Sequence, residues 1–147
     1  MSPQQLTRGR VLRHLAAHDT PALFDFFESL SPASKRRFQP HPLTLDAARG
    51  LCEAASSSTL RLVVLAQSQI VAYFILEPQV SRHEVGRYLD QGIELEAGKD
   101  WMFAPAVTDQ LQNEGIASEA MPHLLALARA AGARSLVLMG GTQATNA

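Results

Sequence analysis

The stretch Val107-Thr-Asp-Gln-Leu-Gln112-Asn-Glu-Gly115-Ile-Ala117 joins an apolar run, Trp101 to Val107, to an amphipathic run, Ile116 to Ala131. That order predicts a strand, a tight turn and a helix. The first N–H groups of a helix have no partner within it and lie at the positive end of its dipole. Backbone donors alone can therefore hold an anion at such a turn. Gly115 leaves no side chain between backbone and ligand, and Ala117 is nearly as small. The plain alternative is an ordinary strand–turn–helix junction with no ligand. Glu114 puts a negative charge into the same loop, so its carboxylate must face solvent or meet a cation if a phosphate is to bind.

The rest of the chain must position this turn. Its 147 residues suit one domain with a real core, and 46% hydrophobic with 18% charged residues are globular values that argue against disorder. A net charge of −1 with no basic block gives no indication of a nucleic-acid surface. Cys52 is the only cysteine, so no internal disulfide can form; it reads as a small core residue in a protein expected to be cytoplasmic. The N-terminus lacks the apolar stretch of a secretory signal, and the runs Ile70 to Leu76 and Trp101 to Val107 are too short to span a bilayer.

In chain order, residues 1–10 are polar and are expected to be a flexible end. Val11 to Leu15 is a short first strand. Asp19-Thr20-Pro21 starts a helix through a capping oxygen and an early proline, with Leu23, Phe26, Phe27 and Leu30 on one apolar face. Ser31-Pro32 starts a second helix that must stop before Pro40. Thr44 caps a third, with Leu45, Ala48, Leu51, Cys52 and Ala55 inward. Leu60 to Ala66 and Ile70 to Leu76 read as a hairpin around Gln67-Ser-Gln69, although the turn lacks the usual Gly or Asn. The polar segment Gln79 to Asp100 is predicted to hold a short helix from about Glu84 to Asp90. Pro105 is expected to interrupt or splay the strand Trp101 to Val107, and Pro122 to bend or delay the helix after the turn. Gly132 caps that helix, and Ser135 to Met139 returns as a parallel strand. Helices, a hairpin, then strand–helix–strand is an α+β order with a mixed sheet.

The run Gln112-x-x-Gly115-x-Ala117 resembles the acyl-CoA pyrophosphate motif of the GNAT superfamily of N-acetyltransferases, which reads Arg or Gln, two residues, Gly, one residue, Gly or Ala. The Val107 to Ala117 spacing matches that family's strand-to-loop register. Gly140-Gly141-Thr-Gln-Ala-Thr-Asn146-Ala147 resembles the start of its next motif, where an Asn opens a helix. The resemblance covers residues 11–147. It implies an α/β (α+β type) domain, acyl-CoA N-acyltransferase-like, with a mixed, mostly antiparallel central sheet flanked by helices. It implies acetyl-CoA as co-substrate and a primary amine, small-molecule or protein, as acceptor. Carried over residue by residue, the loop from Gln112 through Asn113, Glu114, Gly115 and Ile116 to Ala117 would cradle the pyrophosphate. Asn146 would contribute beside it. The backbone of Ala106 and Val107 would take the pantetheine arm.

Transfer of the acetyl group also needs the amine to lose a proton. The candidates are Glu94, Glu96 and Asp100, which precede or enter the central strand, and Glu84 in the polar segment; each can equally be a surface charge. The family's usual proton donor is a Tyr on the helix after the Asn, and neither Tyr73 nor Tyr88 stands there. The resemblance further implies a last helix and one or two strands after Asn146 that the sequence does not contain. The domain is therefore expected to be C-terminally incomplete. The strand Ser135 to Met139 would then be an edge open to a second copy. Two alternatives stand beside the enzyme: a catalytically degenerate CoA-binding or regulatory module, and a self-associating interaction domain. A Rossmann-type binder would need Gly-x-Gly-x-x-Gly after an early strand, which is absent.

Overall fold

The computed structural model describes residues 2–38, 40–54 and 58–138. Six strands form one sheet in sequence order: β1 (Gln4–Gln5), β2 (Val11–His14), β3 (Leu60–Ala66), β4 (Gln69–Glu77), β5 (Asp100–Val107) and β6 (Ser135–Leu138). Successive pairs are antiparallel except β5 and β6, which are parallel, as a return over one helix requires. The helices are α1 (Thr20–Ser29), α2 (Pro32–Arg37), α3 (Leu45–Glu53), α4 (Arg82–Leu89) and α5 (Ile116–Ala130). This is the mixed, mostly antiparallel sheet expected from the element order.

The period-2 alternation of β4 gives the sheet two apolar faces. Tyr73 and Ile75 pack with Leu23, Phe26 and Phe27 of α1 and Ala48 and Cys52 of α3. Ala72, Phe74 and Leu76 pack with Trp101, Phe103 and the α5 stripe Ile116, Ala120, Leu124 and Ala128. Burying each of the large apolar side chains in that stripe contributes roughly 1.5–3 kcal/mol, which ties α5 and the turn before it to β5. Leu45, expected inward, is 42% exposed: it is the first residue of α3, and the inward stripe begins one turn later at Ala48.

Local signals behave as their chemistry requires. Ser31 Oγ accepts from Ser34 N–H at 3.1 Å and Thr44 Oγ1 from Ala47 N–H at 3.1 Å. The β3–β4 turn has φ of +52° at Gln67 and +69° at Ser68, so these two residues take up the left-handed geometry that Gly or Asn would favour. Helix α4 starts earlier than expected, at Arg82, because Ser81 Oγ caps it through Glu84 N–H at 3.3 Å.

Other expectations are corrected. Asp19 does not cap α1: its carboxylate takes a bidentate ion pair from Arg13 at 2.7 and 2.8 Å and the N–H of Ala16 at 2.7 Å. A buried carboxylate facing a guanidinium fork gains more there than from a helix N–H. Residues 4–10 are not a loose end, since Gln4–Gln5 pair with β2 and a 3-10 turn, Thr7–Gly9, follows. Pro122 does not delay α5, which starts at Ile116 and includes it. Met139, Ala55 and Asn146 lie outside the described residues.

Candidate functional site

The site is built on β5 and the turn after it. Thr108 donates its N–H to Val71 O at 2.9 Å. Backbone polar groups alternate sides along a strand, so Ala104 and Ala106 turn theirs to β4, whereas Phe103, Pro105 and Val107 turn theirs toward β6. Pro105 therefore breaks nothing. It pairs with Phe74 at a position that carries no β4 ladder bond, and β5 runs through it without interruption. On the other side, β6 pairs only with Asp100 to Phe103 among the described residues. Among the described residues the stretch from Pro105 to Val107 is thus an open edge, with one donor already removed by proline.

Of the two residues expected to hold an extended arm, Val107 presents its backbone at this edge and Ala106 does not. Ala106 is turned to Tyr73 by the same alternation. Val107 O is met by Gln112 Nε2 at 3.1 Å, which also reaches Ser34 Oγ at 3.3 Å.

Beyond Val107 the chain makes a 3-10 turn, Asp109–Leu111, and then enters α5 through Gly115. Gly115 has φ +77°, a left-handed conformation that suits glycine, and a Cβ built there would meet nothing within 4 Å. The glycine is needed for backbone shape and leaves the space above the loop open. Gln112 N–H bonds Asp109 O at 3.4 Å and Glu114 N–H bonds Leu111 O at 3.1 Å. The N–H groups of Asn113, Gly115, Ile116, Ala117 and Ser118 have no acceptor among the described residues. These donors cluster at the positive end of a fifteen-residue helix, which is anion-binding chemistry. Glu114 meets cations, as its place in the loop demanded: Arg8 Nη1 at 2.7 Å and Arg10 Nη2 at 2.8 Å.

The carboxylates expected to move protons lie elsewhere. Asp100 is the opposite end of β5, roughly 23 Å from Val107 at the usual strand rise. It is buried and saturated by Arg134, by Ser135 Oγ at 2.6 Å and by Glu96 N–H at 2.7 Å. The Arg134 bond, with those of Ser135 and Glu96, holds its carboxyl well below the ordinary carboxylate range, so it is an anchor and a poor base. Glu94 and Glu96 are exposed in the loop before β5, where Glu96 pairs with Lys99 at 3.3 Å. Glu84 pairs with Arg87 at 2.7 Å within α4.

Three groupings escaped the sequence reading because their members are far apart in the chain. The arginines on Glu114 are one. The second is Asp109, whose carboxylate accepts from Ser31 N–H at 2.9 Å and Ser34 Oγ at 3.0 Å and so fastens α2 to the turn. Those bonds hold its pKa low. The third is His41 over Tyr73, the residue paired with Ala106. His41 Nδ1 lies 2.7 Å from Pro42 O, which can only accept, so Nδ1 carries the proton and Nε2 accepts from Tyr73 Oη–H at 3.0 Å. Burial lowers the His41 pKa and raises that of Tyr73, keeping both neutral. Only the Ser31 and Thr44 capping signals, which start α2 and α3 around His41, were visible in advance.

Solved structures decide the fold. The GNAT domain of S. lividans PAT superposes with a TM-score of 0.69 at 22% identity, covering 93% of this chain and 76% of that one. The fold is that of the GNAT acetyltransferases. A GNAT family acetyltransferase from Brucella melitensis in complex with acetyl-CoA gives a TM-score of 0.58 at 23% identity, over 88% of this chain and 75% of that one. RimL, a ribosomal L7/L12 alpha-N-protein acetyltransferase, gives 0.65 at 13% identity, over 93% and 70%. No protein-family model and no curated protein matches the sequence. Among the described residues, no helix is long and apolar enough to cross a membrane, and no cluster of three or more His, Cys, Asp or Glu is set to hold a metal.

Proposed function

We propose that this chain is an acetyl-CoA-dependent N-acetyltransferase domain that acetylates a primary amine. The observation that carries the reading is the run of unbonded amides, Asn113 and Gly115 to Ser118, continuous with the open edge at Val107 in a GNAT fold. The diphosphate sits on those amides, and the loop from Gln112 to Ala117, with Glu114 turned to its arginines, wraps it. The pantetheine amide displaces Gln112 Nε2 from Val107 O and bonds the β5 edge. The thioester then lies along β5 toward Pro105. The amine nitrogen attacks its carbonyl carbon, the C–N bond forms and the C–S bond breaks. The nitrogen loses a proton and the thiolate gains one.

A binding module without transfer chemistry is favoured by one observation: Glu94, Glu96 and Asp100 stand at the far end of β5 or before it. A self-associating domain is the reading supported by the outer side of β6, which has no strand partner among the described residues. A mass that rises with concentration in light scattering is the expected sign of it.

The test is calorimetric titration of acetyl-CoA into the purified chain, with Gly115→Trp as control. Binding that the tryptophan abolishes, in a variant with an unchanged circular dichroism spectrum, supports the loop as the site. A folded chain that takes up no acetyl-CoA would sink the enzyme reading. Release of thiol with a panel of primary amines then separates a transferase from a binding module.

A further inference from the structure

Two guanidinium groups share one loop oxygen. Arg8 Nη1 and Arg10 Nη2 both bond Glu114 Oε1, at 2.7 and 2.8 Å. The two are not equivalent, because the Arg10 side chain is 7% exposed and that of Arg8 is 70% exposed. A buried guanidinium must keep its counter-ion, so Arg10 holds Glu114. Arg8 is therefore the exposed and exchangeable partner of that carboxylate. The remaining acidic groups nearby are occupied: Glu119, in the first turn of α5, accepts from Thr7 N–H at 2.7 Å and Thr7 Oγ1 at 3.0 Å, and Asp109 is bonded to α2.

Arg8 is also carried on a fixed backbone. The Thr7–Gly9 turn is closed by Leu6 N–H on Arg10 O at 2.8 Å, and Arg8 itself has φ +59°. The segment before it pairs Gln4 with Leu12 and Gln5 with Val11. The guanidinium is thus held on the loop through Glu114, the residue between Asn113 and Gly115, and as the exposed half of a surface ion pair it can change partners at little cost.

We propose that Arg8 is a phosphate ligand of the cofactor site. When a diphosphate-bearing cofactor seats on the loop amides, Arg8 swings from Glu114 to the phosphate oxygens, for which its planar fork is suited. Arg10 stays on Glu114 and keeps that carboxylate turned from the anion. This inference rests on the acetyl-CoA reading above and extends the site to the N-terminal segment.

The experiment is titration of CoA and of 3′-dephospho-CoA into the full chain and its Arg8→Gln and Arg8→Lys variants, at low and moderate salt. Arg8→Gln is expected to weaken binding about tenfold, the loss of one charge-assisted bond, and to flatten the salt dependence. Arg8→Lys should recover only part of the affinity, because it keeps the charge and loses the fork, and should restore the salt dependence. Equal losses for both ligands assign the contact to the diphosphate; a loss for CoA alone assigns it to the 3′-phosphate. A purely structural arginine would lower the melting temperature and leave the salt dependence as it was. Unchanged affinity and salt dependence in Arg8→Gln, with the original chain binding normally, would overturn the inference and leave the cofactor reading intact. Failure of the original chain to bind either ligand would overturn both.

Discussion

The two ends of β5 are built on opposite rules. At Asp100 every carboxylate oxygen is occupied, by Arg134, Ser135 and the N–H of Glu96, and β6 pairs alongside. At Val107 the β6-side pairing has ended, proline has removed one donor, and five amides of the following turn and helix lack acceptors among the described residues. Buried polar groups left unpaired are costly, so a protein saturates them where it needs rigidity. It leaves donors unpaired at a solvent-facing helix start where a ligand can complete them. The closed end makes β5 a fixed rail; the open end is where chemistry has room. The perturbed carboxylate in the strand marks the scaffold, since an ion-pair network shifts a pKa as effectively as an active site does.

Acid is expected to weaken both ends. Asp19, Asp100 and Asp109 are all held below the ordinary carboxylate range. A carboxylate with a depressed folded-state pKa contributes stability above its unfolded value, and that contribution is lost as pH falls through the folded one. Urea midpoints should therefore begin to fall as pH drops through about 4 and go on falling well below about pH 3. A flat profile over that window would contradict the pairing described here.

Asp100→Asn is the sharper version. It should cost roughly 2–3 kcal/mol in urea unfolding, because it sets an amide against three donors. Acetyl-CoA affinity should stay within about twofold of the original, a change below what one hydrogen bond confers. Loss of binding without loss of stability would erase the distinction between the two ends.

Asp109→Ala probes the open end. It frees Ser31 N–H and Ser34 Oγ and should cost about 1–2 kcal/mol. Its effect on cofactor affinity should exceed that of Asp100→Asn, because α2 is then no longer fastened to the turn. The smallest effects are expected from Glu94→Gln and Glu96→Gln, which are exposed and should change stability by no more than about 0.5 kcal/mol. A large fall in acetyl transfer for either would reassign it as a catalytic group.

Much of the fold was written locally. Ser31 and Thr44 start their helices, Leu23, Phe26 and Phe27 face inward at helical spacing, and the β3–β4 hairpin closes where its two apolar runs meet. These features depend on residues a few positions apart, so composition and spacing are enough to read them. The strand, turn and helix from Val107 to Ala117 were legible for the same reason, whereas the positive φ of Gly115 came only with the structure.

Only the tertiary structure decided how that turn is equipped. Arg10 and Glu114 are 104 positions apart, Ser31 and Asp109 are 78, and Asp100 and Arg134 are 34. No local pattern announces such pairs. Which backbone atoms of β5 are free is likewise a property of the sheet. The bond from Thr108 to Val71 fixes the alternation, and that alternation turns Ala106 to β4 and leaves Val107 at the edge. The sequence by itself determined most of the elements and the turn between β5 and α5. Long-range pairing determined which carboxylate is an anchor, which arginine is buried and which backbone groups of β5 turn away from β4, because side-chain charge and backbone direction acquire partners only once distant strands have met.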